Sequence, residues 1–308
     1  MIRATEETEG LGVPRVPVGE WIEEAFGWLN ANLSGLFGLI RDTVNALTDG
    51  LGSLLNAPDA LIMVLLFTAL AWYLRNWKLA LLSAVMMIFV ISMDMWEPAM
   101  QTLAMIAVAA ALALIIAIPL GILAAKNDRV SNVVRPIMDL MQTMPAFVWL
   151  VPVVMLFSIG MTAGVVATFI FCLPPGVRFT ELGIRQVDSE VVEAGQAFGT
   201  PPGQILWRIQ LPLAMPTIMA GINQVIMLAL SMAVIAGFVG AGGLGGEVAR
   251  AISSLDIGLG FEAGLSVVVL AIYLDRVTAA IGGTSPGTGR LARALRRRRE
   301  AAEGSDDE

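Results

Sequence analysis

Apolar residues follow two patterns along the chain. Between Ile22 and Leu54 they return at steps of three and four (Ile22, Phe26, Leu29, Leu33, Phe37, Ile40, Val44, Leu47, Leu51, Leu54), which predicts one long amphipathic helix. Gly50, Gly52, Pro58 and Asp59 end it. From Ala60 onward the stripe gives way to continuous apolar runs. A helix needs about 20 mostly apolar residues to cross a hydrocarbon core about 30 Å thick. Seven stretches approach or exceed that length: approximately Ala60 to Leu74, Leu79 to Met93, Leu103 to Ala125, Pro145 to Ser158, Thr162 to Leu173, Leu213 to Phe238 and Phe261 to Ile281. The fourth and fifth are short and nearly adjacent, so they read either as two crossings or as one re-entrant hairpin. The expected fold is all-α and membrane-embedded, with about seven transmembrane helices behind an outer amphipathic helix.

Charge orients these spans, because cytoplasmic loops retain Lys and Arg. Of the 19 basic residues, all but Arg3, Arg15, Arg41 and Arg250 fall on one side of the expected spans, from Arg75 and Lys78 to the tail run Arg296 to Arg299. This places the N-terminus outside and the C-terminus in the cytoplasm of a multi-pass protein of the cytoplasmic (inner) membrane. Three parts follow: an extracytoplasmic arm (1–59), a transmembrane domain (60–282) with a cytoplasmic loop at 175–212, and a charged tail (283–308). The arm begins with Glu6, Glu7 and Glu9 where a signal peptide would be basic, so it is expected to stay on the mature chain. Its stripe is expected to meet protein, such as a second copy, or else the outer leaflet; the scarcity of basic residues favours protein.

Composition narrows the chemistry. The chain is 56% hydrophobic and 15% charged, with a net charge of −7 that offers no surplus for nucleic acid. Histidine is absent and Cys172 is the single cysteine, which excludes imidazole catalysis, zinc clusters and disulfides; no metal site and no catalytic residue is expected. Neither Lys78 nor Lys126 follows a glycine-rich phosphate loop, so the chain does not hydrolyse ATP in that manner.

The long inside loop carries the most specific order: Glu193-Ala194-Gly195, then Gly199, then Ile209, Leu211 and Pro212. Asp188 or Ser189 can cap a short helix, Val191, Val192 and Phe198 give it an apolar side, and Gly199 with Pro201 stops it. Ala194, Gly195 and Ala197 keep one side thin, and Glu193 supplies a charge for orientation. Physically this is a plug for a groove on another protein.

That pattern resembles the coupling loop of permease subunits of binding-protein-dependent ABC importers, whose general form is Glu-Ala-Ala, Gly, Ile-x-Leu-Pro; here Gly195 takes the place of the second Ala. A narrower resemblance joins Met138 to Phe147, Gln210 to Gln224, Gly240 to Arg250 and Ile272 to Thr278 to the glycine betaine and proline betaine importer permeases. The resemblance implies a type I importer permease core of five helices after two N-terminal spans. It further implies a homodimer, two ATPase subunits that hold ATP and magnesium, and an extracytoplasmic substrate-binding protein, the latter two as separate chains. This chain itself would carry no cofactor.

Other signals are weaker. Gly240-Ala241-Gly242-Gly243-Leu244-Gly245 matches a dinucleotide fingerprint by letter, but it follows a helix-length apolar run and lacks a βαβ unit. We read Gly240, Gly242, Gly243 and Gly245 as a packed outer turn, or as a gate or docking surface for the binding protein. Gly160 to Gly164 and Gly260 to Gly264 read as helix packing. Asp139, Gln142, Asn223, Gln224 and Ser231 are polar within or beside spans and must face protein or a wet path, as structural glue or as lining of the route. Asp275 and Arg276 read as a local or interhelical ion pair. The expected function is import of a small quaternary-ammonium osmolyte driven by a partner's ATP hydrolysis. Other small substrates (choline, carnitine, an amino acid) and an ion-gradient carrier are the alternatives.

Overall fold

In the computed structural model, which describes residues 16–282, twelve α-helices follow one another. They are α1 (Val18–Asn56), α2 (Ala60–Leu74), α3 (Trp77–Ser92), α4 (Trp96–Lys126), α5 (Asp128–Thr143), α6 (Ala146–Phe157), α7 (Met161–Arg185), α8 (Ser189–Ala197), α9 (Pro202–Ile205), α10 (Leu211–Ala236), α11 (Gly243–Ser254) and α12 (Ile257–Ile281). All seven expected apolar stretches fall on helices. Among the described residues four elements are long and apolar enough to cross a membrane alone: α4, α7, the continuous run Pro202–Val239 that contains α10, and α12. Two sharply bent pairs, α1 with α2 at 99° and α5 with α6 at 100°, raise that number to six. Helix α3, with 16 residues, is shorter.

The two short segments at 145–173, read either as two crossings or as one re-entrant hairpin, resolve differently. The second segment is the first half of α7, which continues through Pro174 and Pro175 to Arg185. The two prolines forfeit helix hydrogen bonds, but packing holds the helix beyond them. A methyl group at Gly176 would lie 2.7 Å from the Ala117 Cβ, and one at Gly121 only 2.6 Å from the Thr180 Cβ, so α4 and α7 touch nearly backbone to backbone. At Gly183 a methyl group would stand 3.1 Å from the Thr217 Cβ and 3.2 Å from the Ala214 carbonyl of α10. The short partner, α6, belongs instead with α5. Trp149 donates its indole N–H to the Met141 carbonyl across their bend at 3.2 Å.

The N-terminal arm also differs from expectation. Its helix is interrupted at Leu33 (φ −117°, ψ 18°). From Phe37 onward part of the stripe packs on its own chain, while Leu47 and Leu54 stay exposed. Val44 and Thr48 are buried, the Phe37 ring meets Phe157 edge-on at 5.5 Å, and Thr162 donates to Asn45 at 2.7 Å. An apolar stripe takes the nearest apolar surface, here α4, α6 and α7. Of the GxxxG pairs, only Gly164 makes the expected close approach, to Ala236 and Ala241. Gly160 instead supplies a positive φ, and Gly264 faces open space. The acidic start and the Arg-rich tail lie outside the described residues.

Overpacking the α4–α7 contact is expected to be costly. Gly176→Ala lowers stability by about 1–3 kcal/mol, read as a lower Tm of the purified protein in detergent. Gly27→Ala, where the structure leaves open space, leaves Tm unchanged or raises it.

Candidate functional site

The segment after α7 builds the most specific local structure. Asp188 accepts from the Glu190 amide at 2.9 Å and caps α8 at its start. At the other end the Thr200 amide reaches back to the Gly195 carbonyl (3.1 Å) and the Gly199 amide to that of Gln196 (2.8 Å), with Gly199 at φ +73°. This pair of reversed bonds closes a helix around a left-handed residue and explains why glycine stands there. Pro201 opens α9, which passes through a π-helical turn at Leu206–Gln210 into α10. Pro212, at the start of α10, lacks the N–H that a regular ladder needs at that point.

The fragments of the loop pattern meet in space. Gly195 is buried against Ile205 and Ile209; a methyl group on it would stand 2.9 Å from the Ile209 Cδ1. The thin side at Gly195 therefore serves contact within the chain, which corrects its expected exposure to another protein. Leu211 is buried with Ile184, Leu206 and Ile218. Glu193, Ala194, Ala197 and Pro212 are exposed, as are Val191, Trp207 and Phe198, the last at 89%. Helix α7 occupies the first part of the expected loop at 175–212, up to Arg185. A crevice of about 340 Å³ remains between α8 and the end of α7, with Arg185, Val192 and Glu193 among its lining.

Beneath α8 lies a cluster that sequence reasoning missed. Glu181 is 4% exposed, and its Oε1 accepts from Ser131 Oγ (2.8 Å), Arg135 (2.8 Å) and Arg185 Nε (2.9 Å). Arg185 also donates to Asp128 (2.7 Å) and to the Ala124 carbonyl at the end of α4 (2.8 Å). Nearer the bend, Arg178 pairs with Asp139. A buried carboxylate is tolerable only when it is paired and hydrogen-bonded, and these donors meet that need. The available signal was the four-residue spacing of Glu181 and Arg185; reading the arginines only as topology markers hid it.

The remaining polar positions separate. Asn223 donates to Asp275 (3.1 Å) and accepts from Thr278 (2.6 Å), tying α10 to α12. Asp275 and Arg276 approach only to 4.0 Å. Asp139 is engaged by Arg178. Gln142, Gln224 and Ser231 are exposed, Ser231 bonding its own helix at the Met227 carbonyl.

At the opposite end the glycine turn is tightly built. Gly240, Gly242 and Gly243 all have positive φ, and Gly237 crosses Gly245 so closely that a side chain would collide with backbone. The Gly243 and Leu244 amides, which open α11, are received by Gln101 (3.2 Å) and Thr102 (2.8 Å) of α4. Gly160 of the α6–α7 turn donates to the Val239 carbonyl at 2.9 Å.

Residues 117–282 match the family model described as binding-protein-dependent transport system inner membrane component. The chain belongs to this family. The permease is 42% identical to the glycine betaine transport system permease protein OpuAB of Bacillus subtilis, over 87% of this chain and 95% of that one. It is 43% identical to the glycine betaine/proline betaine transport system permease protein ProW of Escherichia coli, over 89% and 77% of the two chains. Similarity also reaches the trimethylamine N-oxide transport system permease protein TmoV of Ruegeria pomeroyi, at 36% identity over 86% of this chain and 42% of that one. Among solved structures, an inward-facing MetNI methionine ABC transporter matches with a TM-score of 0.55 at 23% identity, over 59% of this chain and 91% of its counterpart, a likeness of fold. The permease is thus a multi-pass inner-membrane component with the type I importer fold.

Replacing Gly199 tests the backbone closure. Gly199→Ala places a side chain in the left-handed region at about 1–2 kcal/mol. Amide exchange at residues 199 and 200 then accelerates roughly tenfold while α4 and α7 keep their protection, as read by hydrogen-exchange mass spectrometry.

Proposed function

We propose that this chain is the membrane-spanning subunit of an ATP-driven importer of glycine betaine or a related compatible solute. The observation that carries the reading is its 42% identity to a betaine permease across 95% of that protein's length. Carnitine and trimethylamine N-oxide occur in the names of other relatives, and they share with betaine a methylated, positively charged nitrogen. Two copies of this chain assemble with two ATPase subunits, which supply ATP and magnesium, and an extracytoplasmic binding protein delivers the solute. The N-terminus lies outside and the C-terminus in the cytoplasm.

Segment 188–212 receives the ATPase stroke. Glu193 and Ala194 face the partner together with Phe198, which its own chain leaves exposed. Gly195, Gly199, Ile209, Leu211 and Pro212 hold the segment's shape. Hydrolysis moves it as a rigid piece and tips the spans between inward and outward openings. Gln142, Gln224 and Ser231 line the route on exposed helix faces, whereas Asn223 and Asp139 are held in internal bonds. The turn at Gly240, Gly242, Gly243 and Gly245 meets the binding protein.

The test is reconstitution in liposomes with the cognate ATPase and binding protein. Betaine uptake is expected only with all components and ATP, and an ion gradient alone drives none; uptake by the isolated chain in a sodium or proton gradient would establish a secondary carrier instead. In the full complex, Ala194→Trp is expected to leave assembly intact while lowering betaine imported per ATP hydrolysed at least tenfold. An unchanged ratio removes α8 from the coupling role.

A further inference from the structure

Helices α5 and α7 lie antiparallel and meet through charges of alternating sign. On α7 the order is Arg178, Glu181, Arg185; on α5 the facing residues are Asp139, Arg135 and Asp128. Plus, minus, plus therefore stands against minus, plus, minus. The outer rungs are exposed: the Asp139 and Arg178 side chains at 60% and 42%, and that of Asp128 at 82%. Exposed pairs contribute little to stability, so the alternation has another consequence. Sliding α5 by one turn in one direction sets Arg135 beside Arg178. In the other direction it sets Asp139 beside Glu181 and Arg135 beside Arg185. Either slip also displaces Ser131 and Arg135, the two donors that α5 supplies to the buried Glu181, while Arg185 stays with it on α7. Little apolar packing competes, because α5 buries only Ser131, Val134 and Met138.

Resting on the coupling role proposed for α8, we infer that Asp128, Arg135, Asp139, Arg178, Glu181 and Arg185 form a register ladder that makes α5 and α7 one moving body. The ladder carries displacement at α8, which follows α7 directly, into the bend between α5 and α6. These are positioning residues: they touch neither solute nor nucleotide. Arg185 anchors the base of the ladder to α4 through the Ala124 carbonyl.

Charge exchange in the reconstituted complex tests the inference. Asp139→Arg alone and Arg178→Asp alone are each expected to lower solute imported per ATP about tenfold, whereas the double exchange restores complementary signs and returns the ratio to within about twofold of wild type. A structural role in span folding would instead change assembly while sparing that ratio. Single reversals that couple normally, or a double exchange that assembles without recovering the ratio, overturn the ladder. A second experiment remains decisive should the single variants fail to assemble. Cysteines replacing Asp139 and Arg178 are joined by a short bifunctional thiol reagent, with Cys172 buried. Uptake that survives the link supports one body, and uptake abolished by it overturns the proposal. An Ala194→Trp variant that stays coupled refutes the coupling role of α8, while the charge-exchange ratios are still read in the same working complex.

Discussion

Helix α7 is enclosed by α4, α5, α6 and α10, and a backbone surrounded on so many sides tolerates only side chains too small to hold its neighbours apart. Gly164, Thr168, Cys172, Gly176 and Thr180 recur every four residues and are all buried. Between membrane helices, where lipid supplies no hydrophobic drive for association, close van der Waals contact of this kind replaces it. The close contact also keeps α7 helical through two consecutive prolines. Its C-terminal end is thereby fixed where Glu181 and Arg185 gather the C-terminal end of α4 and the first half of α5, and where α8 begins.

Both ends of the molecule use the same economical solution for chain reversal. Helix α8 is closed by backbone bonds around Gly199, and α11 is opened by Gln101 and Thr102 reaching across from α4. Each reversal is specified by glycine conformation and by a few polar atoms rather than by a long loop. The segment at 188–212 and the glycine turn are accordingly attached to the same two helices, α4 and α7.

Much of this was legible in the sequence. Apolar run length marks helices whatever they pack against, and the cap, glycine and proline of the segment at 188–201 act locally, so their signals survive without tertiary knowledge. The fate of side chains shared between distant elements was not legible. Nothing in the letters around Gly195 says that its missing methyl makes room for Ile209 and not for a partner. Nothing around Leu47 and Leu51 says that only the latter faces the core. Pro174 and Pro175 read as a helix end because proline's cost is local while the packing that overrides it comes from α4 and α10. Arg135, Arg178 and Arg185 satisfied a topology rule so fully that their pairing with Glu181 and Asp139 went unread, although an acid and a base four residues apart, Glu181 and Arg185, were present in the string.

The alternation of sign between α5 and α7 has a consequence for how such a sequence can diverge. A single exchange at Asp139 or Arg178 meets a like charge while the matched exchange does not, and the shared contacts of Glu181 and Arg185 tie the other four positions to one another. Lineages that keep this geometry are expected to show positions 139 and 178 changing as a couple and positions 128, 135, 181 and 185 changing only together, separated by intermediates of lower fitness.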